Sequence, residues 1–191
     1  MKASLRLAEY IFAALGILAL GYCAAAYFRA RLFQSTETRK LEKVEQSLPR
    51  KKAVAPAPIP REGAVVGRLA IPRLGISVIV VEGVDARDLE KAAGHIPGTA
   101  LPGQHGNIGI AAHRDTFFRP LRFIRKGDLI GLTTLSGTYR YRVVSTQIVT
   151  PDDVQVLEPT KSDTLTLVTC YPFYYVGSAP RRFILRAEPL T

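Results

Sequence analysis

Residues 164–187 read Thr-Leu-Thr-Leu-Val-Thr-Cys-Tyr-Pro-Phe-Tyr-Tyr-Val-Gly-Ser-Ala-Pro-Arg-Arg-Phe-Ile-Leu-Arg-Ala and predict a strand, a tight loop and a second strand. Polar and apolar β-forming residues alternate over Thr164–Thr169, which is the period of a half-buried strand. A loop rich in proline and glycine begins directly after Cys170, and the chain becomes β-like again beyond it. Such a two-stranded unit would bring Arg181 or Arg182 beside the thiol.

The thiol of Cys170 has two interpretations. Most cysteines in strands are simply buried in the core. Cys170, however, is predicted at the end of a strand, where the following loop can leave the thiol accessible to solvent. A neighbouring guanidinium would favour the reactive thiolate form. A second short strand, predicted over Asn107–Ala112, also ends on a reactive side chain, His113. Cysteine, histidine and arginine together would supply a nucleophile, an acid/base and a stabiliser of oxyanion charge.

Four segments resemble the motifs of sortases, the cysteine transpeptidases that join surface proteins to the cell envelope. Thr166-Leu-Val-Thr-Cys170 resembles their TLxTC signature, and Ile110-Ala-Ala-His-Arg114 looks like their histidine segment. Arg182-Phe-Ile-Leu-Arg-Ala187 is similar to their arginine strand, and Val66-Gly-Arg-Leu-Ala-Ile-Pro-Arg-Leu-Gly75 to their opening strand. The segments occur in the family's order, and the loop after the cysteine looks most like that of class D sortases.

The resemblance implies a fold and a site. The fold would be mainly β, a closed eight-stranded barrel with short helices. Cys170 would be the nucleophile and His113 the acid/base. Arg182, rather than Arg181, would hold the substrate and stabilise the oxyanion. Thr169 and Tyr171, which flank the cysteine, are expected to contact the substrate.

The resemblance also implies a substrate and a reaction. The substrate would be a protein with an LPxTG-like sorting signal, cleaved through a thioacyl intermediate. The acyl group would pass to an amine acceptor, such as a cell-wall precursor or a pilin, or to water. Two alternatives stay open: a cysteine peptidase of the same fold, and a catalytically silent, membrane-tethered binding or scaffold domain.

Composition narrows the remaining functions. The chain has 191 residues, of which 47% are hydrophobic, so it can build one ordinary core. Its net charge is +10, but residues 1–60 hold 10 Lys/Arg against 4 Asp/Glu, so most of the basicity lies outside the predicted domain. We therefore expect no nucleic-acid partner. The two cysteines, Cys23 and Cys170, lie in different regions and predict neither a disulfide nor a zinc site.

The N-terminal region predicts a membrane anchor and a linker. Tyr10–Phe28 is uncharged and mostly apolar, long enough to cross a hydrocarbon core of ~30 Å. A cleaved signal peptide is the competing interpretation, but the apolar run continues past its small-residue site at Ala24–Ala26. The resemblance implies a single-pass protein with a cytoplasmic N-terminus and an extracytoplasmic domain. We predict an anchor over residues 1–28, a linker over 29–62 and a catalytic domain over 63–191.

The linker has two parts. The charged segment Gln34–Gln46 predicts a helix that extends from the membrane, and the segment around Pro49–Pro60 predicts a stiff, partly extended spacer. Its expected job is to hold the domain off the bilayer.

Short β-like runs separated by glycine and proline predict a closed β structure for the domain. The predicted strands are Ala64–Ile71, Ile76–Val81, Asn107–Ala112, Leu129–Thr134, Thr138–Thr150, Thr164–Thr169 and Arg182–Ala187. We predict one helix over Asp85–Ala93, with Asp85 as N-cap and Gly94 as its stop, and a second short one over Phe117–Ile124.

Other polar residues receive weaker assignments. His95 and His105 are predicted to be loop residues without a motif, and Asp115 a loop-capping residue. We expect no metal and no cofactor. Calcium is the one ion that the resemblance admits, and Asp152 and Asp153 are its candidates, although two carboxylates in a turn are ordinarily solvated.

Overall fold

The computed structural model describes residues 2–47 and 60–190. Its helices are α1 (Lys2–Ser47) and α2 (Ala86–Leu89). Its strands are β1 (Val65–Ile71), β2 (Ile76–Glu82), β3 (Ala93–His95), β4 (Asn107–Ala111), β5 (Leu129–Thr134), β6 (Gly137–Val149), β7 (Thr164–Tyr171) and β8 (Arg181–Pro189). Short 3₁₀ helices occur at Pro72–Leu74, Arg119–Phe123 and Val154–Leu157.

The strands form a closed barrel in the order β1-β2-β3-β4-β7-β8-β6-β5. This confirms the predicted mainly β fold with eight strands and short helices. Closure follows from the alternation seen in the sequence, because one face of each strand points into a shared apolar core. Leu69, Val80, Ile110, Leu132 and Leu167 are among the core side chains and are essentially inaccessible.

Strand direction divides the barrel into two rims. Strands β2 and β3 are parallel, as are β4 and β7, and the other neighbouring pairs are antiparallel. The ends of β1, β4, β6 and β7 therefore meet the starts of β2, β3, β5 and β8 at one rim. We call this the catalytic rim, because the three residues predicted to be catalytic, Cys170, His113 and Arg182, all lie there.

All seven predicted strands are present, and no end is displaced by more than two residues. The predicted short helix over Phe117–Ile124 is present as a 3₁₀ helix.

The prediction of a helix over Asp85–Ala93 is wrong at its C-terminal end. Asp85 does occupy the N-cap position, but the helix ends at Leu89, and Gly94 lies in the middle of the unpredicted strand β3. A Cβ atom on Gly94 would lie 2.2 Å from the carbonyl oxygen of Gly83, so the backbone approach requires glycine. The glycine marks a close approach of two chain segments and not a helix stop.

Helix α1 runs without a break from the apolar segment to the barrel wall. Its 46 residues correspond to a length of about 70 Å. By length and composition it could cross a membrane, as predicted for Tyr10–Phe28. Gln34 and Leu41 lie on one face of the helix, since they are seven positions apart, and Phe33, eight positions before Leu41, borders this face.

This face packs against the outside of the barrel. Leu41 is buried in a small cluster with Ile79, Val81 and Ala92. The Gln34 side chain accepts a hydrogen bond from Ile79 N at 2.8 Å and donates one to the Lys91 carbonyl oxygen at 2.7 Å. Pairing of β2 with β3 begins only at Val80. At Ile79, the Gln34 side chain therefore accepts the hydrogen bond that a neighbouring strand would otherwise accept.

The charged part of the predicted linker is therefore a helix in contact with the domain. We predicted the helix over Gln34–Gln46, but not this contact. The proline-rich part over residues 48–59 lies outside the described residues, so its predicted extended form stays a prediction.

We expect Gln34→Ala to loosen this contact. The change removes two hydrogen bonds and leaves the Ile79 amide without its partner, which typically costs about 1–3 kcal/mol. Amide hydrogen exchange at Ile79 should therefore accelerate by about tenfold or more. Ser35→Ala is the control, because that exposed hydroxyl bonds only within the helix, to Leu32 O. Equal exchange at Ile79 in both variants would contradict the role of Gln34.

Candidate active site

Cys170 lies near the end of β7, directly opposite Arg182 on β8. The predicted strand thus extends one residue past the cysteine, to Tyr171. Leu165 and Leu167 point into the core, so the period of two places Cys170 on the outer face of the barrel wall. The thiol is free and half-buried. Opposite residues of an antiparallel pair share a face, so the Arg182 side chain projects on the side of the thiol.

His113 reaches the same place from β4. The parallel pairing of β4 with β7 continues past the end of β4, where Ala112 N donates to Val168 O at 3.2 Å. The Thr169 hydroxyl donates to Ala112 O at 2.7 Å. These two hydrogen bonds hold Ala112, which precedes His113, against Val168 and Thr169, which precede Cys170.

A cavity of about 340 Å³ opens at this point of the catalytic rim. Its wall includes His113, Cys170 and Arg182, the three residues to which sequence reasoning gave catalytic roles. The loop between β7 and β8 closes one side with Gly177, Ser178 and Ala179. The fold therefore brings together three side chains that are up to 69 positions apart in the sequence.

The two adjacent arginines have different surroundings. Arg182 is half-buried, and its Nη1 donates to the carbonyl oxygens of Ala179 at 3.1 Å and Arg181 at 3.0 Å. Arg181 is exposed and lies opposite Tyr171, so its side chain leaves the other face of the strand. It does not line the cavity. This geometry favours Arg182 as the partner of the cysteine.

The two predicted substrate-binding residues also differ. Thr169 is buried, and its hydroxyl already bonds to Ala112 O, so in this state it braces the histidine segment. Tyr171 is half-buried and packs edge to face on Phe173, with ring centroids 6.0 Å apart. Neither is part of the cavity wall, and their contact with substrate stays a prediction.

Arg114 is the residue at this site that sequence reasoning passed over. Its Nη2 donates to the carbonyl oxygens of Tyr175 at 2.7 Å and Gly177 at 2.9 Å, and its guanidinium lies 5.7 Å from the Tyr175 ring. Arg114 thus fastens the β7–β8 loop to the histidine segment. Its only signal in the sequence is its position directly after His113.

We expect Arg114→Ala to release the loop and, if the cavity binds the predicted peptide substrate, to raise KM by about tenfold, with a smaller change in kcat. Loss of two hydrogen bonds from a charged donor accounts for an effect of this size. Hydrogen exchange over residues 174–178 should accelerate in parallel. Arg114→Lys should restore little, because a single ammonium cannot reproduce the planar fork. An unchanged KM beside a mobile loop would show that the contact is only structural.

The other histidines lie away from the cavity. His95 was predicted to be a loop residue, which is wrong: it is in β3, 2% exposed, with Nδ1 2.8 Å from the Glu82 carboxylate and Nε2 3.0 Å from Ala100 O. His105 is exposed beside Asp163, near the starts of β4 and β7, at the opposite rim. His95 is thus part of the packed interior, and His105 contacts only an exposed loop carboxylate; neither lines the cavity at Cys170.

The carboxylates predicted as calcium candidates lie in a turn. Asp153 accepts hydrogen bonds from both Thr150 N and Thr150 Oγ1 at 2.8 Å. These bonds lower the pKa of the Asp153 carboxyl, so it is ionised at neutral pH. Over the parts of the chain that the structure describes, no group of three or more histidine, cysteine or acidic side chains is placed to hold a metal ion.

A free cysteine, a histidine and an arginine around one rim cavity of a closed eight-stranded barrel are the groups that a cysteine enzyme acting on acyl groups requires. The Sortase domain model matches residues 69–190, and the chain belongs to the sortase family, whose members are cysteine transpeptidases.

Individual relatives agree with this assignment. Sortase D of Bacillus subtilis is 40% identical over 133 residues, which cover 69% of this chain and 67% of the relative. Sortase A of Listeria monocytogenes is 34% identical over 56% of this chain, a match that covers only 50% of the relative's length. The structure of a Clostridium perfringens Sortase D5 transpeptidase superposes with a TM-score of 0.67 and 25% identity, over 84% of this chain and 98% of that one.

Proposed function

We propose that this chain is a membrane-anchored transpeptidase that cleaves an LPxTG-like sorting signal and transfers the acyl group to an amine. The observation that carries the proposal is the placement of Cys170 directly opposite Arg182, with His113 on the wall of the same cavity. A nucleophile, an acid/base and a fixed cation are the groups that acyl transfer through a thioester needs.

The first half of the reaction forms the thioester. The Cys170 thiolate attacks the carbonyl carbon of the scissile peptide bond, and the tetrahedral intermediate carries its negative charge on oxygen. Arg182 lies on the same face and stabilises this charge. The C–N bond breaks, His113 gives its proton to the leaving amine, and the acyl group stays on sulfur.

The second half reverses the roles. The acceptor amine attacks the thioester carbonyl and gives its proton to neutral His113. The C–S bond breaks, the Cys170 thiolate is regenerated, and the new amide leaves. Because His113 handles both amines, the leaving group and the acceptor approach from the same side of the cavity.

The position of the β7–β8 loop supports the proposal that this loop helps to bind the substrate. It closes one wall of the cavity and is fastened by Arg114, whose Nη1 is buried and finds no hydrogen-bond partner within the described part of the chain. This N–H has almost no accessible surface, so a peptide carbonyl could accept from it only after the loop has moved. The acceptor is proposed to be an amine of a cell-wall precursor or a pilin.

Helix α1 supports the proposed location. Its apolar part is long enough to span a bilayer, and the barrel contact begins at Phe33, only five residues beyond Phe28. We place the N-terminus in the cytoplasm and the catalytic domain outside, as a single-pass protein.

The proposal is tested with the full chain in detergent micelles and a panel of quenched LPxTG-like peptides, with and without an added amine. A covalent adduct on Cys170, found by mass spectrometry, and an amide product that requires the amine would establish the transferase. Free acid whose yield the amine does not change would instead show a peptidase. If the folded protein forms no adduct with any peptide, the transferase proposal is wrong and the alternative of a catalytically silent binding domain is favoured.

A further inference from the structure

A second cavity, of about 450 Å³, lies at the catalytic rim but outside the candidate active site. Four arginines line it, Arg73, Arg119, Arg122 and Arg125, together with the apolar side chains of Leu74 and Phe123. We call it the arginine pocket. One wall is the turn between β1 and β2, and the other is the segment that follows β4 and His113. Strand direction places both of these segments at the rim that holds Cys170.

The pocket carries an excess of positive charge. Arg73 donates to both carboxylate oxygens of Asp128, and these hydrogen bonds lower the pKa of that carboxyl, so the two charges cancel at neutral pH. Arg119, Arg122, Arg125 and the neighbouring Lys126 form no ion pair with a carboxylate in residues 2–47 or 60–190. The four arginines of the pocket face one carboxylate, Asp128, whose pKa is lowered mainly by Arg73 and also by the charge of Arg125, so a net charge of about +3 (four guanidinium groups against one carboxylate) is left for an outside anion.

Two of the arginines, Arg73 and Arg122, are held in place before any ligand binds. Arg73 is fixed by Asp128 and by the Phe123 carbonyl oxygen, to which its Nη2 donates at 2.7 Å. Arg122 donates to Arg119 O at 3.2 Å, and its guanidinium lies 4.5 Å from the Phe123 ring and 5.3 Å from the Tyr174 ring. Stacking uses the faces of a guanidinium and leaves its in-plane donors available. The buried Nε of Arg122 has no partner in the described part of the chain.

The chemistry of the pocket selects the ligand. Several planar N–H forks around one cavity match a group with three or more oxygens and more than one negative charge, better than a single carboxylate. The Phe123 side chain is 56% exposed and offers an apolar surface beside the cations. We propose that the arginine pocket binds a phosphate or diphosphate group. Two sources share this chemistry: the headgroup of an anionic lipid, and a water-soluble phosphate ester.

The first test measures protection of the arginines from phenylglyoxal by mass spectrometry, with the full chain in phosphatidylcholine nanodiscs. One arm adds inorganic diphosphate, and a second replaces part of the lipid with phosphatidylglycerol. Sodium chloride at matched ionic strength is the control for screening. We expect modification of Arg119 and Arg125 to slow by about fivefold or more in at least one arm, and that of Arg87 to stay unchanged, since Arg87 follows β2 at the opposite rim.

The two arms identify the source. Protection by diphosphate alone assigns the pocket to soluble phosphate esters, and protection by phosphatidylglycerol alone assigns it to lipid headgroups. Protection in both arms supports the shared phosphate chemistry. Protection in neither arm, or equal protection of Arg87, would overturn the proposal.

A pair of charge-matched variants supplies the second test. Arg119→Gln with Arg125→Gln should weaken diphosphate binding, measured by calorimetry on the full chain, by about tenfold or more, because two charged donors are lost. Arg87→Gln with Lys161→Gln removes the same charge from exposed positions at the opposite rim and should change affinity by less than about twofold. Equal losses of diphosphate affinity in the two variants would show that only net charge matters and would overturn the proposal that the arginine pocket is the binding site.

Discussion

Replacing Cys170 with alanine is expected to remove the covalent adduct and to lower the rate of amide formation by about 10⁴-fold or more. No other described nucleophile faces the cavity with an arginine directly opposite, so the thioester cannot form. Loss of a nucleophile removes the whole covalent route, and effects of this size or larger are typical. The measurement is peptide turnover together with mass spectrometry of the intact protein.

Cys23→Ala is the matched control for this change. Cys23 is the other free cysteine of the chain, and it is exposed on α1, away from the barrel. The Cys23→Ala protein should turn over peptide at the wild-type rate and should form the covalent adduct on Cys170. An adduct that persists in the Cys170→Ala protein would show that a different group is acylated and that the site is misassigned.

The second large effect is expected from Arg182→Gln. If Arg182 stabilises the oxyanion, its loss should lower kcat by about 10²- to 10³-fold, the range found when one such donor is removed. KM should change much less, because the interaction forms with the developing charge. Steady-state kinetics on a quenched peptide separate the two constants.

The neighbouring arginine supplies the control here. Arg181→Gln makes the same chemical change one residue earlier, but that side chain leaves the opposite face of β8 and lies outside the cavity. Its kcat should stay within about threefold of the wild-type value, since only a remote surface charge is lost. Equal losses in the two variants would remove the argument that facing Cys170 matters, and a larger loss for Arg181 would reverse the assignment.

Much of the barrel could be predicted because its strands carry their signal locally. Alternation of polar and apolar residues locates Leu129–Thr134 and the first six residues of β7, since each strand has one face in the core. The prediction that the strand over Thr164–Thr169 is half-buried is wrong, because Thr164 and Thr166 on its other face are buried as well. Strand β3 could not be found in this way. It has three residues, includes a glycine and a histidine, and exists because β2 and β4 pair with it on either side.

The site shows the same division between local and tertiary signals. Cys170 and His113 could be proposed because each was predicted to end a strand and matches a motif, and in the structure each lies within two residues of a strand end. The alternation along β8 also separates Arg182 from Arg181 before any contact is known. The clamp made by Arg114 depends on where a loop about sixty residues further along the chain comes to rest, and no local pattern reports that. The buried pairing of His95 with Glu82 likewise needs β2 and β3 to be adjacent.

The continuous helix α1 and its contact through Gln34 have a consequence for substrate choice. If α1 spans the bilayer as proposed, the barrel is attached to its anchor by a stiff joint, and the cavity is held at one height above the lipid. A flexible connection would let the cavity sample many distances from the membrane, whereas this rigid connection allows only a narrow range. The enzyme would then process only sorting signals whose cleavage site lies at a matching distance from the membrane.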